Sequence, residues 1–142
     1  MRTVRQLLEA KSPSTHTIRP EAPVLDALRL MAEHGIGAVL VMDGTALVGI
    51  LSERDYARKV VLHGRTSADT PVRDIMSADV VTTSPNDSVD RCMQLMTDRR
   101  IRHLPVLEHG AVIGVISIGD LVKAVIEDQQ QELDQLQRYI AS

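Results

Sequence analysis

Two short stretches place a glycine, a hydroxyl group and a carboxylate at the same spacing. The stretch VGILSERD returns later in the chain as IGVISIGD, so Ser52 and Asp55 correspond to Ser117 and Asp120. A serine followed three residues later by an acidic residue can form a capping box at a helix start. A carboxylate at such a turn can also accept hydrogen bonds from both hydroxyls of a ribose, as acidic residues do in dinucleotide-binding folds.

Capping and ligand binding are compatible roles for these turns. Asp is a shorter reach-back partner than the usual Glu or Gln, and Gly119 weakens the second helix start. We therefore expect each serine to cap its helix while the carboxylate remains available to a ligand. Pure capping is the alternative.

The other reactive side chains form no catalytic pattern. The histidines show neither the HExxH spacing nor a Cys–His spacing for zinc. Cys92 lies on an apolar helical stripe, where a buried thiol is expected. The five histidines are His16, His34, His63, His103 and His109. The sequence predicts no catalytic residue, no metal site and no enzyme.

Composition narrows the class of partner. The chain has 142 residues, a formal net charge of −3 and a pI of about 5.9, so it has no general attraction to nucleic acid or to an anionic membrane. It has a single cysteine and no apolar run long enough for a signal peptide or a membrane span. We expect a cytoplasmic protein that binds neither nucleic acid nor membrane.

An internal repeat organises the chain. Residues 17–61 align with residues 82–126 without a gap, and Gly49 falls on Gly114. Upstream, VRQLL echoes VRDIM at a spacing three residues longer, so the first copy departs from the second in the loop EAKSPST. We predict a first repeat with an N-terminal segment, a second repeat and a helical tail, at residues 1–66, 67–128 and 129–142.

Each copy has the same predicted order of elements. A short extended segment precedes PVLDALRLMAEHG or DSVDRCMQLMTDRR, where apolar residues recur at helical spacing. Two apolar runs separated by DGT or EHG then predict a hairpin, and the serine opens a second helix. The predicted fold class is α+β, with two tandem β-α-β-β-α repeats.

The chain resembles the cystathionine-β-synthase (CBS) domain family over about residues 4–126. The Gly-x-apolar-Ser-x-x-Asp turns and the strand IRHLPV carry the resemblance, and two such domains in tandem resemble a Bateman module of the small stand-alone bacterial type. The resemblance implies a pseudo-two-fold relation between the repeats. It also implies an adenosyl ligand, such as AMP, ADP, ATP, NAD or S-adenosylmethionine, in clefts between them.

The resemblance further implies which positions touch the ligand. In one cleft, the backbone of residues 36–38 would hold adenine, Asp120 the ribose, and Ser117 with two basic residues the phosphate. In the other, residues 101–103 would act with the first copy's turn. The predicted ligand-binding residues are Lys11, Ile36, Gly37, Ala38, Ser52, Arg54, Asp55, Ile101, Arg102, His103, Ser117 and Asp120.

Four of these positions have simpler alternatives. Arg102 could lie on a solvated face, and His103 could be an ordinary partly buried imidazole. Arg54 could form an ion pair with Asp55, and Lys11 is a weaker candidate because it lies in the departing loop.

The tail VIEDQQQELDQLQRYIAS continues an apolar stripe at spacings of three, four and seven. It could fold back over its own domain. Because paired CBS modules usually form flat homodimers through their helices, we predict instead a two-fold homodimer. The helices predicted to take part lie near residues 24–34, 56–61 and 121–140, and the stripe consists of Val125, Ile126, Leu133, Leu136, Tyr139 and Ile140.

The function implied by the resemblance is regulatory. We expect an adenine-nucleotide-binding module that acts as an energy or metabolite sensor in signal transduction, through an unidentified effector protein. The alternative is a protein-interaction or structural module without a small-molecule ligand.

Overall fold

The structure is a computed structural model in which residues 2–11 and 15–141 are described. The chain divides into two compact units. The first-repeat unit is Ser14–Val81, and the second-repeat unit combines Met1–Pro13 with Thr82–Ser142. Most of the loop EAKSPST lies within the described residues, but positions 12–14 do not.

The first-repeat unit has the predicted order of strand, helix, hairpin and helix. Its elements are β1 (Thr17–Ile18), α2 (Val24–His34), β2 (Ala38–Asp43), β3 (Ala46–Ser52), α3 (Glu53–Tyr56) with a π-helical continuation (Ala57–Val61), and a short 3₁₀ helix (Val72–Asp74); α1 (Val4–Glu9) belongs to the other unit. Strand β1 pairs in parallel with β2, which pairs antiparallel with β3. Gly35 ends α2 in a left-handed conformation (φ 62°), as its position in the sequence indicates.

The second-repeat unit follows the same order with two differences. Its helices and strands are α4 (Val89–Arg99), β4 (His103–Glu108), β5 (Ala111–Ser117) and α5 (Ile118–Ala141). The predicted strand VVTT is reduced to one parallel bridge between Thr83 and Val106. The last helix is a continuous α-helix that includes the predicted tail, whereas its first-copy counterpart becomes π-helical after one turn.

The compact units and the sequence repeats have different boundaries. The segment VRQLL packs on the second repeat, where Val4 N–H donates to the Asp87 carbonyl at 2.9 Å. Its echo VRDIM packs on the first repeat, where Val72 N–H donates to the Ala22 carbonyl at 2.8 Å. Each upstream segment therefore completes the repeat that does not follow it in sequence.

Burial explains why these segments adhere. Val72 and Ile75 belong to the buried core of the first-repeat unit, together with residues of α2 and the β2–β3 hairpin. Val4 and Leu7 are buried in the same way in the second-repeat unit. Removing these apolar side chains from water stabilises each segment on its unit.

Candidate functional site

Both Ser-x-x-Asp turns form reciprocal capping boxes. In the first, Asp55 N–H donates to Ser52 Oγ at 3.2 Å, and Ser52 N–H donates to Asp55 Oδ2 at 2.9 Å. In the second, the matching distances between Ser117 and Asp120 are 3.2 and 2.8 Å. The aspartates thus reach back in spite of their short side chains, because the serine at the end of its strand is extended (Ser52 φ −115°, ψ 163°) and brings its amide close.

The capping geometry leaves room for a second role. Each reach-back bond uses Oδ2, and both aspartates are only partly buried. An aspartate that caps through one oxygen can present the other to a ligand hydroxyl. The ligand role of Asp55 and Asp120 therefore stays a prediction that is compatible with the cap.

The glycine of each turn has a packing role that the sequence did not reveal. A Cβ on Gly49 would lie 2.5 Å from Met76 Sδ, and a Cβ on Gly114 would lie 2.7 Å from Leu8 Cδ2. Met76 and Leu8 are the matching last residues of VRDIM and VRQLL. Each upstream segment therefore packs a side chain onto the strand just before the serine, and a Cβ at the glycine would displace that side chain from its present position.

The predicted adenine-binding segments lie beside the serine turns of their own repeats. In the first-repeat unit, Ala38 pairs with Ser52, and Glu53 N–H donates to the Gly37 carbonyl at 3.0 Å. Ile36, the first residue of this segment, is partly buried. The unit therefore brings together residues 36–38 with Ser52 and its capping partner.

The second-repeat unit repeats this arrangement. His103 pairs with Ser117 across the hairpin, and Ile118 N–H donates to the Arg102 carbonyl at 2.8 Å. Arg102 is exposed, while Ile101 and His103 are partly buried. The predicted combination of residues 36–38 with Ser117 and Asp120 joins residues of different units and stays a prediction.

Lys11 lies closer to the second turn than its place in the sequence indicates. Its Nζ lies 2.7 Å from Asp120 Oδ2 and 2.9 Å from the Val115 carbonyl oxygen. In the other copy, the matching carbonyl of Ile50 accepts from the backbone N–H of Ser77 at 2.9 Å. The longer N-terminal loop thus replaces a backbone donor with a charged side chain.

Lys11 also controls the charge of the predicted ribose-binding carboxylate. Burial raises the pKa of Asp120, but the hydrogen bonds from Lys11 and from the Ser117 backbone outweigh it, so that the pKa is lowered overall. The carboxylate is therefore ionised at neutral pH and can act as an acceptor for hydroxyl groups.

In the first turn, the lysine that contacts the aspartate comes from the helix that follows the turn. Lys59 Nζ lies 3.5 Å from Asp55 Oδ1 and donates to the Ile75 carbonyl at 3.0 Å. Asp55 thus has an ion-pair partner four positions later in the chain, and Arg54 is an exposed residue of α3. The two turns share their caps but differ in the origin of the neighbouring cation.

Cys92 is a buried thiol, as predicted. It lies on α4, and burial raises its pKa although a hydrogen bond with Thr83 opposes the shift. Thr83 Oγ1 also donates to Asp87 Oδ2 at 2.6 Å, which lowers the pKa of that carboxyl. A protonated, enclosed thiol is a poor nucleophile.

Two of the scattered histidines meet in the first-repeat unit. The rings of His16 and His34 stack with their centroids 3.7 Å apart, a contact that no sequence spacing indicated. Within the described residues, no cluster of three or more His, Cys, Asp or Glu side chains has the proximity to hold a metal ion. Over the same part of the chain, none of the helices has the length and apolar character needed to cross a lipid bilayer.

A groove of about 380 Å³ lies between α4 and α5 of the second-repeat unit. It contains none of the predicted ligand residues. Its lining is mixed, with carboxylate, amide and hydroxyl groups beside apolar side chains, and consists of Asp90, Met93, Gln94, Thr97 and Val125. The groove belongs to the helical face of the unit, away from its Ser-x-x-Asp turn in sequence.

Comparison with known proteins finds the same repeat. The profile of the CBS domain matches residues 4–62 and 72–127. The mitochondrial CBS domain-containing protein CBSX3 of Arabidopsis thaliana is 46% identical over 122 residues, which represent 82% of this chain and 59% of that protein. The chain thus spans less than two thirds of the length of this relative.

Solved structures show the same fold. A CBS-domain protein from Burkholderia ambifaria is 55% identical with a TM-score of 0.87, over 89% of this chain and 96% of the other. The CBS domain pair of the protein MJ0100, solved with 5′-methylthioadenosine and S-adenosyl-L-methionine, is 20% identical with a TM-score of 0.79, over 90% and 98% of the two chains. The two matches of the family profile cover most of the sequence, and the chain therefore belongs to the CBS-domain family and carries two CBS domains in tandem.

Proposed function

We propose that this protein is a regulatory module that binds an adenine nucleotide such as AMP, ADP, ATP or NAD. The observation that carries the proposal is the capped turn found in both units, in which a partly exposed aspartate caps a serine that pairs with the first residue of the neighbouring strand. Membership of the CBS-domain family supports it. The MJ0100 domain pair, which holds two adenosyl compounds, supports the ligand class.

Each part of the nucleotide is assigned to residues with matching chemistry. Adenine offers an edge with one donor and acceptors that strand amides and carbonyls can match, so residues 36–38 and 101–103 bind it through the backbone. Asp120 and Asp55 accept from the ribose hydroxyls. The phosphate is bound by Arg102, whose planar guanidinium suits phosphate oxygens, with help from His103.

The remaining predicted residues complete two unequal sites. Ser117 and Ser52 contribute hydroxyl groups next to the phosphate, and Arg54 is the cation nearest in sequence to the first turn. Lys11 acts through its ion pair with Asp120. The copy with Arg102 and His103 supplies more positive charge, so it forms the phosphate-binding half of the tighter site.

The biological role that fits this chemistry is sensing. Nucleotide binding to a module without a catalytic residue changes an equilibrium rather than a covalent bond, so the protein acts as an energy or metabolite sensor and signals through an effector protein. The Burkholderia relative is described as a proposed signal-transduction protein with CBS domains. A lone buried thiol suits a reducing compartment such as the cytoplasm.

We also propose that the module is a two-fold homodimer. The helices that take part lie near residues 24–34, 56–61 and 121–140. The exposed apolar side chains of the second-repeat unit support an interface there, since Val122, Ile126 and Leu133 are all more than two fifths exposed.

Thermal unfolding with a panel of nucleotides tests the ligand proposal. A ligand present at one hundred times its dissociation constant stabilises the folded state by about 2.7 kcal/mol, which raises the melting temperature by several degrees. We expect this shift with at least one of AMP, ADP, ATP and NAD, and none with inorganic phosphate alone at equal concentration. No shift with any adenine nucleotide would favour a protein-interaction module without a ligand.

A further inference from the structure

The last helix continues well beyond its own buried residues. Helix α5 runs from Ile118 to Ala141, but Leu121 and Ala124 are its buried residues. From residue 129 to residue 141 every side chain is exposed. At 1.5 Å per residue this projecting part is roughly 20 Å long. Most helical stability in proteins comes from the packing of an apolar face, to which these exposed side chains contribute little.

Five of the exposed apolar side chains of α5 follow a heptad repeat, and Tyr139 lies beside them at a g position. Ile126, Leu133, Leu136 and Ile140 are exposed by 59, 53, 55 and 74%. Their separations of seven, three and four residues, with Gln129 filling the gap, place them at the a and d positions of a coiled coil. Val122, which is also exposed, occupies the preceding d position. We call these six positions, 122, 126, 129, 133, 136 and 140, the seam.

The seam faces away from the chain's own second-repeat unit. Leu121 and Ala124, which pack on that unit, lie on the opposite side of the helix from the a and d positions. Arg2 of the N-terminal segment forms ion pairs with the next turn of α5. Its Nη2 lies 2.7 Å from Glu127 Oε2, and its Nε lies 3.1 Å from Asp128 Oδ1. The ion pairs hold the polar side of the helix toward the unit, so the seam cannot turn inward without breaking them.

The residue types in and around the seam favour pairing with the same helix of a second copy of this chain. A seam of two apolar positions in seven is the narrow pattern of a coiled coil, whereas a helix that packs on a domain has a broader apolar face. The flanking positions 130, 132, 137 and 139 hold Gln, Glu, Gln and Tyr, so two identical helices meet little charge repulsion. Charged residues of α5 lie on the side of the helix opposite the seam, at Glu127, Asp128, Asp134 and Arg138.

We propose that the tails of two copies pair along the seam as a two-stranded coiled coil. This inference deepens the proposed homodimer and rests on it: it specifies how the residues near 121–140 of one copy meet those of the other. The coiled coil covers the exposed apolar stripe and stabilises the projecting turns of α5.

The test compares two variants that add the same charge. Leu133→Glu with Leu136→Glu places two carboxylates in the seam, and Gln131→Glu with Gln135→Glu places two on the outer side of the same turns. By sedimentation equilibrium, wild type and the outer variant should have about twice the chain mass of 15.6 kDa. The dimer dissociation constant of the seam variant should be at least 100-fold higher than that of the wild type. Leu133→Ser with Leu136→Ser, which adds no charge, should weaken association in the same direction.

The possible results distinguish the coiled coil from the homodimer and from nucleotide binding. A seam variant that associates as tightly as the outer variant would overturn the coiled coil while leaving a homodimer through the other helices. A wild-type chain that remains monomeric at 100 μM would overturn both. In either case the melting shift with AMP still reports on the ligand proposal, because the seam contains none of the predicted ligand residues.

Discussion

Lys11 Nζ lies 2.7 Å from Asp120 Oδ2, although the two residues belong to the N-terminal segment and to the last turn motif of the chain. The contact exists because the N-terminal segment packs on the second repeat. It places a cation directly on the carboxylate that we propose for the ribose. Any ligand hydroxyl that reaches Asp120 must therefore share this carboxylate with Lys11.

The first prediction concerns the pH dependence of folding. Asp120 has a lowered pKa in the folded state, so its interactions stabilise the fold above the ordinary carboxylate pKa of about 3.9, and this stability is lost as the pH falls through the lowered value. Lys11→Met should reduce the free energy of unfolding at pH 7 by about 1 kcal/mol. The difference from wild type should shrink as the pH approaches 3. Urea unfolding at both pH values measures it.

A matched control for this prediction is Lys123→Met. Lys123 is an exposed lysine of α5, in the same unit as Lys11. Its removal should change the unfolding free energy by no more than about 0.5 kcal/mol. Equal losses in the two lysine variants, or a Lys11→Met loss that is the same at pH 7 and pH 3, would contradict the ion pair as a source of stability.

The second prediction concerns the close packing of Leu8 on Gly114. Gly114→Ala should cost about 1–3 kcal/mol because the new methyl group would overlap the Leu8 side chain. In a Leu8→Ala background the same change should cost much less, since the overlapping atoms are gone. Chemical unfolding of the four proteins gives the coupling energy.

Gly119→Ala is the control for that cycle. A Cβ on Gly119 would meet only Ser117 Oγ, at 3.6 Å, so alanine should be neutral or slightly stabilising in the helix. Strictly additive effects of Leu8→Ala and Gly114→Ala would show that the glycine is required for some reason other than this contact.

The fold within each repeat could be predicted from the sequence. The spacing of Val24, Ala27 and Met31 predicts the buried face of α2 correctly, and the runs around DGT and EHG predict both hairpins. These features depend on neighbouring residues alone. The fold class and the order of elements in each copy could therefore be predicted.

The sequence did not indicate which repeat each upstream segment completes. The echo of VRQLL in VRDIM was visible, but an echo does not say whether a segment packs on the repeat after it or on the other one. That choice depends on contacts such as Leu8 with Gly114, far apart in the chain. The position of Lys11 on Asp120 follows from the same choice, which is why Lys11 was only a weak candidate.

The third prediction separates the capping role of Asp120 from its ligand role. Asp120→Glu keeps a carboxylate that can reach back to the Ser117 amide, since Glu is the usual partner in a capping box. We expect its unfolding free energy to stay within about 0.5 kcal/mol of wild type, while its affinity for AMP falls because the carboxylate is displaced. Asp120→Ala should lose both stability and affinity.

Calorimetric titration with AMP and urea unfolding measure the two properties on the same samples. If Asp120→Glu and Asp120→Ala both bind AMP as tightly as wild type, the residue serves only as a helix cap. If Asp120→Glu unfolds as easily as Asp120→Ala, the capping box observed between Ser117 and Asp120 is not what stabilises this turn.

The most direct measurement is a calorimetric titration of AMP into wild type and into the double variant Asp55→Ala, Asp120→Ala. The account predicts saturable binding to wild type and a loss of about tenfold or more for each carboxylate removed, the scale of a lost hydrogen bond to a charged group. Binding of equal affinity to the double variant, with both proteins folded, would contradict the proposal that these two turns form the nucleotide sites.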